Sequence, residues 1–365
     1  SQSPFLNVFP DARVRQTLRL MGRSPDDRVT KEVAREICQR QGLKAYLAGT
    51  ITNLGTSYLI AMEAINGQSG EEIAREQVEA ESKEQVLKAL TQAASKLRQK
   101  LGESLSSIRK LDAPLELTTS SLEALKAYSL GAEQATKGRF LEAIPFYKRA
   151  VELDPNFAYA YVGLAVQHAN TNQPKLAAEY AEKAFALRDR VSELEKLRIA
   201  NFYYVFVTGE VDKQIEVLEL YKSTYPRDWR ALNNLSDAYL RTGQFEKAAA
   251  EARHGVTLNP NVVVGYINLA QAFIGLSRFA DGKEVVDQAL RQNLDSTLLH
   301  SFQYQIAFNS GDAAAMQQQL DWTRGKPDEY VGLDWQAQTS AFAGQWRRSQ
   351  DFSKSAVELA TRPHS

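Results

Sequence analysis

The chain has 365 residues, 44% apolar and 24% charged, with 44 basic side chains against 44 acidic ones. That length exceeds one ordinary core, so two or more folding units are expected, and the zero net charge gives no pull toward nucleic acid or an anionic membrane. A single cysteine, Cys38, excludes a disulfide framework, and no run approaches the roughly 18 apolar residues of a membrane span. The opening residues SQSPFL lack a Met and a signal-peptide pattern, which suggests a fragment cut from something larger.

Residues 5–9 (FLNVF) read as a short strand closed by Pro10. Asp11 caps an amphipathic helix carrying Val14, Leu18 and Met21, and Thr30 opens a second with Val33, Ile37 and Gln41, stopped by Gly42. Cys38 lies on this second helix and reads as a buried structural thiol rather than a nucleophile. Two β-patterned runs, 45–53 and 57–65, are joined by Leu54-Gly55-Thr56; a turn at 66–70 leads to a third run, 72–80. Short loops between such runs imply an antiparallel meander. Ser82 and Gln85 have capping-box spacing before a long helix to about Leu101, with Val86, Leu90, Ala93 and Leu97 inward. Gly49, Gly55, Gly67 and Gly70 form no phosphate-binding pattern and read as turns and bulges.

The order β-α-α-β-β-β-α, with the runs SPFLNVFPDARV, AYLAGTITNLGTSYLIAMEAINGQSGEEI and KLRQKLGES, resembles the N-terminal domain of TolB and its relatives. The resemblance covers about a quarter of the chain. Those relatives begin with one more strand and helix, which implies a bare sheet edge beside residues 5–9 here. The expected domain spans 1–110 as an α+β unit, followed by a linker over 111–120.

From residue 121 to 365 a beat of about 34 residues takes over. Turn residues fall at Gly138, Asn172, Gly209, Gly243, Ser277, Gly311 and Gly344, spaced 34, 37, 34, 34, 34 and 33 apart. The cleanest repeat is LEALKAYSLGAEQATKGRFLEAIPFYKRAVELDP, where small Gly131 and Ala143 let two helices approach while Phe140, Tyr147 and Ala150 fill the seam. Asp154-Pro155 ends its second helix. Anchors recur as Leu164, Ala165 and Ala177; as Leu235, Ser236, Tyr239, Phe245, Ala248 and Pro260; and as Leu269, Ala270, Phe273 and Phe279. These motifs resemble the tetratricopeptide repeat (TPR) family and imply an all-α superhelix of about seven hairpins, the last over 330–361. Phe202, Tyr304, Gln214 and Met316 replace small residues in the third and sixth repeats and should hold those helices further apart. The three-residue excess before Gly209 is expected around 188–192, with Ser192 and Glu195 capping the next helix.

In that family, peptides lie on the concave face made by the first helix of each hairpin. The resemblance assigns to that face Tyr159, Val162, Tyr203, Phe206, Arg230, Asn233, Asn234, Asp237, Arg241, Gln271 and Gln305. Asn234 and Asn268 occupy the position of an asparagine ladder that grips a peptide backbone, since an amide offers both donor and acceptor. The same asparagines could instead bond neighbouring helices, and both readings stand at this point. The equivalent sites hold Gly163, Ala200 and Phe302, and the basic clamp for C-terminal carboxylates is not intact.

No catalytic, cofactor or metal pattern emerges. His168, His254, His300 and His364 have no second His or Cys at ligand spacing, and no GxSxG, HExxH or kinase set is present. Trp229, Trp322, Trp335 and Trp346 read as packing between hairpins rather than a sugar-stacking surface. The expectation is a non-catalytic module that binds a peptide or partner protein.

The two modules joined through LGESLSSIRKLDAPLE and SLEALKAYSLG resemble the C-terminal region of bacterial, acidobacterial-type membrane serine/threonine kinases. That resemblance implies an extracytoplasmic sensor or docking region whose kinase domain lies upstream, with a cytoplasmic setting left open. Two alternatives share the modules: the effector arm of a winged-helix transcription regulator and a stand-alone periplasmic scaffold.

Overall fold

The computed structural model describes residues 6, 8–9, 11–104, 108, 119, 121–136, 139–326 and 329–361. Residues 5 and 7 of the expected first strand, the Pro10 that closes it, the turn residue Gly138, most of the linker and His364 lie outside them. The chain forms two compact units, Ser1–Arg227 and Asp228–Ser365.

In the first unit, α1 (Asp11–Leu20) and α2 (Lys31–Gln41) precede β1 (Ala45–Asn53), β2 (Tyr58–Asn66), β3 (Glu72–Ala80) and α3 (Val86–Lys100). Thr30 caps α2 by accepting the Val33 N–H, and Gly42 ends it in the left-handed conformation that glycine adopts without strain. The strands form an antiparallel sheet in the order β1-β2-β3, with Ala45 opposite Asn66 and Asn53 opposite Tyr58. A bulge at Ala64/Ile65 shifts the β2–β3 register. One face packs on α3 through Ile60, Ala80, Val86 and Ala89, and through Ala64, Ala74 and Leu97. Leu18, Val33 and Ile37 form a separate cluster with Phe9, Val14 and Met21.

The capping box at Ser82 is not formed. The Ser82 side chain makes no cap hydrogen bond, and residues Lys83–Gln85 form a single 3-10 turn before α3. The nearby Ser82 hydroxyl helps hold the Glu84 carboxyl below its usual range. Beyond α3, Arg98 grips Glu103 through two parallel bonds of 2.8 and 2.7 Å, in a pair with side-chain exposures of 9% and 1%. Nothing in the hydrophobic pattern marks that pair.

Fourteen further helices among the described residues make seven hairpins. In the first unit these are α4 (Leu122–Thr136) with α5 (Phe140–Leu153), α6 (Ala158–Asn170) with α7 (Pro174–Ala186), and α8 (Glu193–Tyr203) with α9 (Val211–Thr224). The second unit holds α10 (Trp229–Arg241) with α11 (Phe245–Leu258), α12 (Val263–Gly275) with α13 (Phe279–Arg291), α14 (Thr297–Ser310) with α15 (Ala313–Thr323), and α16 (Glu329–Phe342) with α17 (Trp346–Ala360). The six described turn residues, Asn172, Gly209, Gly243, Ser277, Gly311 and Gly344, all have φ between 56° and 75°. The 34-residue beat is therefore a beat of left-handed residues that reverse the chain.

Small residues set the seams. Ala143, Ala150, Leu164 and Ala165 are fully buried, as are Leu235, Ser236, Ala248 and Ala270. Gly131 faces the Tyr147 ring: a Cβ there would sit 3.1 Å from that ring, and one on Gly163 would sit 2.7 Å from it. Two glycines thus bracket one tyrosine. In the third hairpin, buried Gln214 donates to Asn201 at 2.9 Å, so a polar bridge stands where other repeats use small apolar contacts. The residue excess before Gly209 is divided between a 3-10 turn at Arg188–Arg190 and a π-helical turn at Tyr204–Thr208, which the sequence pattern did not reveal. Ser192 and Glu195 form the capping box there.

Candidate functional site

The residues assigned to the first-helix face divide between the two units. Tyr159, Tyr203 and Phe206 belong to the first; Arg230, Asn233, Asn234, Asp237, Arg241, Asn268, Gln271 and Gln305 belong to the second.

In the first unit the aromatic residues are engaged in packing. Tyr203 stacks on Phe185 with ring centroids 3.8 Å apart, and the Arg188 guanidinium covers the Phe185 ring at 4.1 Å. Phe206 stacks on Phe202 at 5.8 Å, one turn earlier on the same helical segment. Tyr159 is half-buried, 6.0 Å from Tyr128, with the Arg198 guanidinium 5.8 Å from its ring. Arg198 also donates to the Tyr221 hydroxyl at 2.6 Å within its own hairpin, while its contact with Tyr159 reaches the preceding one. Arg198 was not singled out from the sequence; its place on α8, the first helix of its hairpin, was the available signal. Val162 does not join this face. It is 3% exposed and packs with Ala158, Ala184 and Ile199, because the small-residue seam turns that side of α6 inward.

In the second unit a strip of polar side chains crosses α10, α12 and α14. Asp237, Gln271 and Gln305 stand 34 residues apart; Asp237 is half-buried and both glutamines are exposed. Arg241 bonds Asp237 at 3.2 Å, and Arg230 bonds Asp228 at 3.4 Å, so the strip is close to neutral. The same 34-residue step from Arg230 reaches Val264 and Leu298, exposed at 38% and 53%, which form an apolar row beside the polar one. The register could have found both.

The two asparagines expected as a ladder differ in environment. Asn268 is 9% exposed and donates to the backbone carbonyl of Asn233 at 3.1 Å and to its side-chain oxygen at 3.2 Å. That amide ties α12 to α10. Asn234 is half-buried and accepts from Asn233 at 3.4 Å, a long and weak contact.

Two of the histidines, His300 and His168, are held by packing and hydrogen bonds. His300 lies between Gln319 and Asp295, at 2.7 and 2.8 Å, and stacks on Trp322 at 3.7 Å. His168 is buried, stacks on Tyr180 and faces Gln173 at 3.2 Å; burial, above all, pushes its imidazole below the ordinary value. Among the described residues no group of three or more His, Cys, Asp or Glu is placed to hold a metal ion. No described helix is long and apolar enough to cross a membrane.

Residues 127–157 and 215–261 each match a tetratricopeptide repeat family. Two stretches of the helical array thus match tetratricopeptide repeat models, and the other hairpins share their 34-residue register. The type IV pilus assembly protein PilF of Pseudomonas aeruginosa is 28% identical over 212 residues, which cover 55% of this chain and 81% of PilF. Solved structures similar to the repeats include PilW, a widely conserved type IV pilus biogenesis factor, at 17% identity and a TM-score of 0.41 over 63% of this chain and 98% of PilW. Another is a thermophilic TPR protein of Thermus thermophilus, at 19% identity and a TM-score of 0.42 over 53% of this chain and 99% of that one.

Proposed function

We propose that this chain is a non-catalytic scaffold whose TPR array holds an extended segment of a partner protein across α10, α12 and α14. The observation that carries the reading is the row Asp237, Gln271 and Gln305, with Val264 and Leu298 alongside. A peptide backbone needs regularly spaced donors and acceptors, and amide side chains supply both. The apolar row takes the peptide's side chains on one side. Asn268 belongs to the wall, since its amide is spent on Asn233, while Asn234 is available to the ligand. Because the strip is close to neutral, the favoured segment is uncharged.

Similarity to a type IV pilus assembly protein supports a role in assembling other proteins. The setting we propose is the extracytoplasmic arm of a membrane-anchored bacterial kinase, with domains over 1–110 and 121–365. Its support is the TolB-like order of elements and the segment that joins them to the repeats. Kinase motifs immediately upstream in the gene would bear this out; a winged helix or a lipoprotein signal there would replace it.

Selection of displayed peptides on the wild-type chain tests the groove. Selected peptides should bind the Asp237→Ala/Gln271→Ala/Gln305→Ala variant at least about tenfold more weakly, a loss of about 1.4 kcal/mol. Equal affinity for both would place the site elsewhere.

A further inference from the structure

The two edges of the sheet are built differently. β3 carries Glu72, Arg75, Glu76 and Glu79 along nine residues, the charge that ordinarily keeps an edge strand from pairing with another chain. β1, AYLAGTITN, is equally long and has no charged residue, no proline and no bulge in its pairing with β2. Leu47 and Ile51 stand on it 54% and 56% exposed.

The direction of its free backbone groups follows from the hairpin. Leu54 donates to the Ser57 carbonyl at 2.9 Å, so that pair is a hydrogen-bonded one. Bonded and non-bonded pairs alternate along an antiparallel ladder. The N–H and C=O groups of Ala45, Leu47, Gly49, Ile51 and Asn53 therefore point away from β2. Among the described residues nothing bonds to them. Their side chains share one face, and there Leu47 and Ile51 supply the apolar surface.

We infer that β1 is an association edge whose occupant is β1 of a second copy of this chain, antiparallel and centred on Gly49. Three features select this occupant. With the two-fold axis at Gly49, Leu47 of each copy stands opposite Ile51 of the other, so the exposed apolar pair is self-complementary. The outward backbone groups of one copy meet the outward groups of the other, which a shift by one residue would prevent. The absence of charge lets the strand lie against itself without repulsion. Gly49 puts no side chain at the axis, and a Cβ added there meets only the Ala61 carbonyl oxygen, at 3.7 Å. The product is a six-stranded sheet with an isologous interface.

Sedimentation of the whole chain provides the test, on wild type and on two charge variants, Leu47→Lys/Ile51→Lys and Leu47→Glu/Ile51→Glu. The inference predicts twice the monomer mass for wild type and monomer mass for each variant. It predicts recovery of the doubled mass on mixing the two variants, because each introduced Lys then stands opposite a Glu. A third variant, Gly49→Cys, should give a covalent dimer on mild oxidation, while buried Cys38 stays unreacted. That readout stands even if the lysine variants fold poorly. Wild type that stays monomeric as concentration rises would overturn the inference, as would a dimer that survives in both charge variants. Protection of the outward β1 amides in a monomer, lost in Phe5→Asp/Val8→Asp, would assign the edge to the chain's own first residues and overturn it too.

Discussion

The side-chain amide of Asn268 donates to the backbone carbonyl of Asn233 at 3.1 Å, across thirty-five residues and two adjacent first helices. An amide that reads as a ligand rung is thereby a tie between repeats. Its removal would leave a carbonyl in a half-buried place without that donor. Asn268→Ala should therefore cost about 0.5–1.5 kcal/mol of stability. Asn234→Ala, which breaks only a long contact, should leave the denaturant midpoint unchanged. Equal losses in the two variants would contradict the division of roles.

Glycine at position 163 is set by the Tyr147 ring, which a Cβ would approach to 2.7 Å. Gly163→Ala should overpack that seam and cost about 1–3 kcal/mol. Gly255 gives the opposite sign, because its Cβ would meet its nearest neighbour at 3.7 Å, an ordinary contact. Gly255→Ala should stabilise by up to about 1 kcal/mol through helix propensity. Chemical denaturation of both variants checks the pair, and matching signs would contradict it.

The hairpins were legible because their reversals need left-handed backbone, which only a few residue types accept. The strands were legible from alternation: the reading of 45–53 and 72–80 coincides with β1 and β3. What escaped depends on contacts that no spacing encodes. Ser82 has the right partner distance for a capping box, yet its side chain makes no cap bond and a 3-10 turn at Lys83–Gln85 follows it. Val162 follows the periodicity of an exposed face, but the width of the seam beside Ala158 and Ile199 buries it. The polar strip lies between these cases: the 34-residue register spaces its members, while their exposure required the fold.

The Arg98–Glu103 pair makes a sharper energetic claim. Arg98→Met takes both Arg98–Glu103 bonds from a buried carboxylate and should destabilise the first unit by up to about 3–5 kcal/mol. Arg98→Met/Glu103→Leu should recover most of that loss, since an apolar pair of similar volume is often neutral or better. Thermal unfolding of the single and double variants decides it, and an additive loss would contradict the account.

Acid should weaken the second hairpin through His168. Burial lowers its folded-state value, so the unfolded chain binds more protons between that value and the ordinary one of about 6.5. Stability is then fully present above the ordinary value and falls as pH drops through it. His168→Gln should flatten the midpoint between about pH 7 and 5 relative to wild type, the window set by that ordinary value. An unchanged slope would contradict this assignment.

Contact mapping with a photo-crosslinking residue tests the central claim most directly. It would be placed at Gln271 or Gln305 on the first helices, and at exposed Glu284 on the second-helix side of the same unit, with a selected peptide as ligand. The account predicts efficient crosslinks from positions 271 and 305 and none above background from 284. Crosslinking from 284, with 271 and 305 silent, would contradict it.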